Sequence, residues 1–249
     1  MSKHIAVAGK GGTGKTTLAS MLVRYLAEAK KGAILAVDAD FNSTLNESLG
    51  LKVENTIASI LADVKKNKVP TGMTKDVFIE LKMHQALIET DDYDLLVMGG
   101  PQGPGCYCFP SEILKRHLEV LDKNYDYMVI DNEAGMEHIS RGTIERVDIM
   151  LVISDATAKG VRTAGKLYDL ARRLKIRIGE AYLVVTRISD PDLEPLRDDI
   201  ESTGLKLLGV IPNDPLVAAY DMEGRPLADL PDDSPAVKAS RDLFVKLGL

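Results

Sequence analysis

Short apolar runs alternate with longer amphipathic stretches along the whole chain. The runs fall at 4–8, 33–37, 94–98, 126–130, 148–153, 180–186 and 206–211. Most are nearly unbroken, as in Ile149, Met150, Leu151, Val152 and Ile153, or Leu183, Val184 and Val185. A strand with one wet face alternates apolar and polar residues, whereas an unbroken run suits a strand buried on both faces of a parallel sheet. Between the runs, helical patterns are predicted near 15–30, 54–64, 110–123, 158–174, 192–203 and 235–247. This alternation predicts an α/β fold, a doubly wound, mainly parallel sheet with helices on both sides. No repeat, low-complexity tract or linker interrupts residues 1–249, which are expected to form one domain. Residues 64–93 are the least regular part. They carry Lys65, Lys66 and Lys68, then Pro70 and Gly72, and read as an insertion between an early helix and the third strand.

The first strand runs into Gly9, Lys10, Gly11, Gly12, Thr13, Gly14, Lys15 and Thr16, followed by Thr17 and a helical pattern of Leu18, Met21, Leu22, Tyr25 and Leu26. Residues 9–16 fit G-x-x-x-x-G-K-[ST] in the strand–loop–helix context that the phosphate-binding loop requires, which predicts a P-loop NTPase. Glycines let backbone N–H groups close around phosphate oxygens, and the helix N-terminus adds partial positive charge. Lys15 is placed to reach the β and γ phosphates of ATP, and the Thr16 hydroxyl to hold Mg²⁺. Lys10 is not needed by an ordinary phosphate loop. With it, residues 10–15 resemble the deviant Walker A loop of the MinD, ParA and nitrogenase-iron-protein superfamily. The resemblance implies that Lys10 reaches across a homodimer to the partner's nucleotide.

Two more strands end in carboxylates. Asp38 and Asp40 follow the second, and Asp131 follows Tyr127, Met128, Val129 and Ile130. Ligands of open α/β sheets sit beyond the carboxyl ends of the strands, so these groups are expected near the phosphates. Asp131 is the natural Walker B carboxylate, near Mg²⁺, with Asp38 in support. The superfamily resemblance makes Asp40 the residue that positions the attacking water. It also makes Asp131, Asn132, Glu133, Ala134 and Gly135 the second switch segment, in which Gly135 gives the backbone freedom to swing. Thr186 with Arg187, and Pro212 with Asn213 and Asp214, resemble the superfamily's two adenine-contacting segments. The first of these usually reads Asn-Arg, so Thr186 departs from the pattern.

Composition narrows the partners. Thirty-one Lys and Arg against 37 Asp and Glu give a net charge of −6, and there is no tryptophan. Neither a general nucleic-acid-binding surface nor a base-stacking platform is expected. No apolar run approaches the ~18 residues that span a bilayer. The N-terminus leads almost directly into the first strand, which leaves no room for a signal peptide. The expectation is a cytoplasmic protein without membrane attachment, whose two cysteines are reduced.

Those cysteines, Cys106 and Cys108, lie in a Pro- and Gly-rich stretch after the third strand. One chain supplies two thiolates, and a symmetric dimer supplies the four of a closed tetrahedral site. A bridging iron–sulfur cluster would also use four. With this pair, residues 9–16 and the stretch 131–143, the chain resembles the CooC-type nickel-insertion ATPases over nearly its whole length. These are maturation factors for carbon monoxide dehydrogenase, with relatives that serve acetyl-CoA synthase. The resemblance implies one Ni²⁺ or Zn²⁺ per homodimer, held by Cys106 and Cys108 of both protomers. It also implies ATP turnover that drives metal insertion into a client apoenzyme. A MinD- or ParA-like positioning ATPase and an ATP-dependent electron-transfer iron–sulfur protein are the alternatives. His117 and His138 are left out of the metal site because four thiolates complete it, and nothing in the sequence places His84.

Overall fold

The computed structural model describes residues 2–66, 68–100, 108–133, 146–189 and 193–249. Cys106, Gly135 and His138 lie outside the described residues. Among the described residues, eight strands form one sheet in the order β3-β4-β2-β5-β1-β6-β7-β8. They are β1 (Lys3–Gly9), β2 (Ile34–Asp38), β3 (Ile88–Glu89), β4 (Asp94–Val97), β5 (Tyr127–Asp131), β6 (Arg146–Asp155), β7 (Arg177–Ile188) and β8 (Lys206–Pro212). All pairings are parallel except that of the two-residue edge strand β3 with β4. All seven expected strands are present, and β3 is the addition.

The unbroken apolar runs have the predicted cause. Along β1, Ile5 and Val7 join one core, and Ala6 and Ala8 join the other. The Ile5 core is covered by α1 (Lys15–Glu28), α2 (Leu45–Ser48), α8 (Pro215–Glu223) and α9 (Pro235–Lys246). The Ala6 core is covered by α3 (Ile57–Lys65), α4 (Lys75–Ala86), α5 (Cys108–Leu121) and α6 (Ala158–Arg173). A short 3₁₀ turn, Glu194–Leu196, leads into α7 (Arg197–Ser202), where one longer helix was expected. Among the described residues, no helix is long and apolar enough to cross a membrane.

The insertion corrects the sequence reading. Residues 75–86 form the regular helix α4, capped by Thr74, whose hydroxyl accepts from the Val77 N–H. Its pattern is blurred because Val77 and Leu81 remain exposed while Phe78, Met83 and Ala86 are buried. Helix α8 was also missed, although its signals are present: an Asp214 cap, Pro215 at the first position and Gly224 at the end in left-handed geometry.

Helix α9 settles the terminal segment. Ala236, Val237, Ser240, Leu243 and Phe244 are buried against α1 and β8, and Arg241 faces Glu28 and Asp232. Its apolar stripe is spent on the core.

Candidate nucleotide site

Strand β1 lies between β5 and β6, the point at which the chain's winding reverses and a crevice opens at the strand ends. The phosphate loop starts there. At Gly9 any Cβ would lie 2.6 Å from the Ile153 carbonyl oxygen on β6, so only glycine lets the loop leave the sheet at this place. Gly14, at φ 89°, caps α1 in the left-handed region. The loop is held from within by the Thr13 hydroxyl, which donates to the Lys10 carbonyl at 2.8 Å. Lys10 itself is exposed.

Lys15 is 7 % exposed. Burial pulls its pKa below the usual lysine value, and the carboxylates of Asp131, Asp40 and Glu133 oppose that shift. Its ammonium is 3.4 Å from the Lys10 carbonyl. Asp131 stands beside Asp38 in the register of β5 and β2. The Thr16 hydroxyl donates to Asp131 Oδ2 at 2.6 Å, while Asp131 Oδ1 is buried without a hydrogen-bonding partner. An orphaned carboxylate oxygen next to a hydroxyl, among more carboxylates than one ammonium neutralises, fits a hydrated divalent cation such as Mg²⁺. Mg²⁺ bound there would neutralise phosphate charge.

Burial pushes the Asp131 carboxyl up to about 6, with Thr16 and Lys15 working the other way. Burial and the neighbouring Asp131 push Asp38 up to about 7. A carboxyl raised by folding stabilises the fold fully only below its unfolded value near 3.8, and that contribution is lost as pH rises through the folded value. In protein free of nucleotide and metal, Asp131→Asn is therefore expected to raise the melting temperature, with the gain growing between about pH 4 and about pH 6. Thermal denaturation of both proteins across that range is the check, and a gain independent of pH would contradict it.

Asp38 is engaged by backbone donors on both oxygens. Its Oδ1 accepts from the Asp40 N–H at 3.0 Å and its Oδ2 from the Leu45 N–H at 3.0 Å. Both oxygens thus pin the loop that carries Asp40. The half-buried Asp40 accepts from the Asn42 N–H at 2.8 Å and faces Lys15.

A cavity of about 350 Å³ opens beside the loop, between Gly14, Thr17 and Met21 on one side and Arg187, Asn213 and Val217 on the other. Arg187 sits in a bulge of β7 with φ 55°, which turns it out of the ladder. Thr186 lines this cavity and is also engaged within the chain. Its hydroxyl donates to the Thr13 carbonyl at 2.7 Å and faces the Ser154 carbonyl at 3.2 Å, tying β7 to the phosphate loop. Asp214 is likewise engaged: it accepts from the Leu216 N–H at 2.9 Å, the Ser234 hydroxyl at 2.5 Å and the Ala236 N–H at 3.2 Å. It joins α8 to α9. The sequence reasoning missed Met21 and Val217, which line the cavity from α1 and α8.

Residues 4–227 match the profile of the CobQ/CobB/MinD/ParA nucleotide binding domain. The chain belongs to this family. Among relatives of the CobQ/CobB/MinD/ParA family, an uncharacterised ATP-binding protein of Methanocaldococcus jannaschii is 41% identical over 98% of this chain and 97% of its own length. The carbon monoxide dehydrogenase accessory protein CooC of Rhodospirillum rubrum is 31% identical over 94% and 91% respectively. The septum site-determining protein MinD of Pyrococcus horikoshii, solved with Mg-ADP, superposes with a TM-score of 0.72 at 22% identity, covering 99% of this chain and 96% of that one. The fold and the ATP-binding, P-loop ATPase class follow from family membership.

Proposed function

We propose that this chain is a homodimeric, Mg²⁺-dependent ATPase that couples its nucleotide state to insertion of nickel into carbon monoxide dehydrogenase or acetyl-CoA synthase. The observation that carries the reading is the full-length likeness to an accessory protein of carbon monoxide dehydrogenase, in a chain with a Cys-x-Cys pair between its phosphate loop and its Asp131 strand. In this reading residues 9–17 cradle the phosphates, and Lys15 contacts the β and γ phosphates. Thr16 and Asp131 hold Mg²⁺. Asp38 fixes the loop from which Asp40 orients the attacking water. Gly135 lets the second switch respond to the γ phosphate. Arg187, Pro212 and Asn213 meet the base, while Thr186 and Asp214 brace the walls of its cavity.

Cys106 and Cys108 of both protomers hold one Ni²⁺ or Zn²⁺ as cargo, in the cytoplasm, and opening of the dimer hands it to the client apoenzyme. The burial of α9 against the core supports this reading over a positioning ATPase that needs an amphipathic tail for membranes.

Elemental analysis and mass measurement of anaerobically purified protein, with and without a non-hydrolysable ATP analogue, form the test. One Ni²⁺ or Zn²⁺ per dimer is expected; iron with acid-labile sulfide would shift the reading to electron transfer. Lys10 gives a separate expectation. It is exposed in the single chain, and its charge is available to a partner's phosphates. Lys10→Ala is expected to weaken analogue-dependent dimerisation by roughly tenfold or more while leaving the monomer folded. Sedimentation of wild type and variant decides it, and equal dimerisation would leave Lys10 a solvated lysine.

A further inference from the structure

The insertion brings a second pair of metal-ligating side chains together. His84 on α4 and His117 on α5 lie with ring centres 6.0 Å apart, edge to face. They line an open cleft of about 280 Å³, together with Glu80 and Asp76. Glu80 precedes His84 by one helical turn, so both belong to one face of α4. His84 and Glu80 are exposed, and His117 is half-buried.

We propose that His84 and His117 form a binding site for a divalent transition metal ion of the Zn²⁺ or Ni²⁺ class, with the Glu80 carboxylate and water completing the coordination. His117 Nε2 is buried and has no hydrogen-bonding partner. An imidazole nitrogen left in that state costs stability unless something else occupies its lone pair. Burial, and then the neighbouring His84, hold the His117 pKa below the usual histidine value, with Glu80 opposing. The ring is therefore neutral at physiological pH, the form that ligates metal. The spacing suits a shared ion. With metal–nitrogen bonds of about 2.1 Å, two imidazoles on one tetrahedral ion have their centres roughly 5 Å apart. Rotation of the exposed His84, with a turn of the His117 ring that brings Nε2 to the cleft, closes the difference.

Among the described residues, no three His, Cys, Asp or Glu side chains already converge on one point. Binding therefore needs Glu80 to swing inward, and the site is more open than a closed structural one. The two imidazoles select Zn²⁺ and Ni²⁺ over Mg²⁺, which keeps this cleft chemically separate from the nucleotide's cation. The site stands independently of the Cys106 and Cys108 reading. It also gives residues 75–86 a chemical use besides covering the core.

The test uses full-length protein carrying Cys106→Ser and Cys108→Ser, so that no thiolate contributes. Zn²⁺ is titrated against a chromophoric chelator in the absence of nucleotide, and the imidazole proton resonances are followed by NMR. One equivalent per chain is expected, with shifts confined to the His84 and His117 rings. His84→Ala in the same background should weaken uptake by roughly tenfold or more, and this exposed substitution should leave the melting temperature nearly unchanged. His117→Gln gives the second arm. No uptake by the cysteine-free protein, or uptake unchanged by both histidine substitutions, would overturn the site. Failure of the cysteine reading is seen separately, as wild type binding no more metal than the cysteine-free protein.

Discussion

Lys15→Ala is expected to abolish measurable Mg-ATP binding, whereas Asp40→Ala keeps ATP but hydrolyses it about 100-fold or more slowly. The two residues lie close together but act at different stages. Lys15 is buried in the phosphate loop, and its ammonium faces the carboxylates of Asp131, Asp40 and Glu133. Removing it deletes the positive charge that phosphates meet and leaves those carboxylates to repel them, so the ground state suffers first. Asp40 stands on a loop pinned by Asp38 and is only half-buried. Its loss removes repulsion as well as a water-orienting group, so binding survives and the chemical step does not. Calorimetric binding of Mg-ATP and single-turnover hydrolysis separate the two outcomes. Unchanged hydrolysis in Asp40→Ala would take the water-positioning role away from it.

The second large effect concerns the cysteines. Wild-type protein is expected to take up one Ni²⁺ or Zn²⁺ per dimer tightly, and either Cys106→Ala or Cys108→Ala to lose that tight site. Two thiolates per chain fill a four-coordinate ion only by pairing protomers, and each substitution leaves two ligands in the whole dimer. With four thiolates Ni²⁺ can become square planar and absorb through charge transfer, whereas Zn²⁺ stays tetrahedral and colourless. Both variants should still bind ATP, because the phosphate loop folds through contacts of its own with β6 and β7. Anaerobic titration of the three proteins, scored per chain, is the measurement. One ion per monomer, or a reducible iron–sulfur spectrum, would remove the shared thiolate site.

Local rules placed the nucleotide machinery. Unbroken apolar runs, a glycine loop between a strand and a helical pattern, and carboxylates at strand ends are features of neighbouring residues, and residues 4–9, 14–16, 38 and 131 express them directly. They determined the parallel α/β sheet, the phosphate loop at its switch point and the approach of Asp40 and Asp131 to Lys15. Tertiary structure alone decided the rest. Asp38 and Thr186 stand at strand ends, and the groups they bond, the Leu45 N–H and the Thr13 carbonyl, are delivered by other elements. The stripe of α9 suits a membrane or a core equally well, and only α1 and β8 beneath it made the choice. Helix α4 was hidden because part of its apolar surface faces solvent, which erases the periodicity that marks a helix. His84 and His117 stand 33 residues apart in sequence and meet only because α4 and α5 cover the same face of the sheet. Periodicity and turn chemistry act over a few residues, whereas a hydrogen-bond partner or a shared cleft is set by whichever distant element the packing brings alongside.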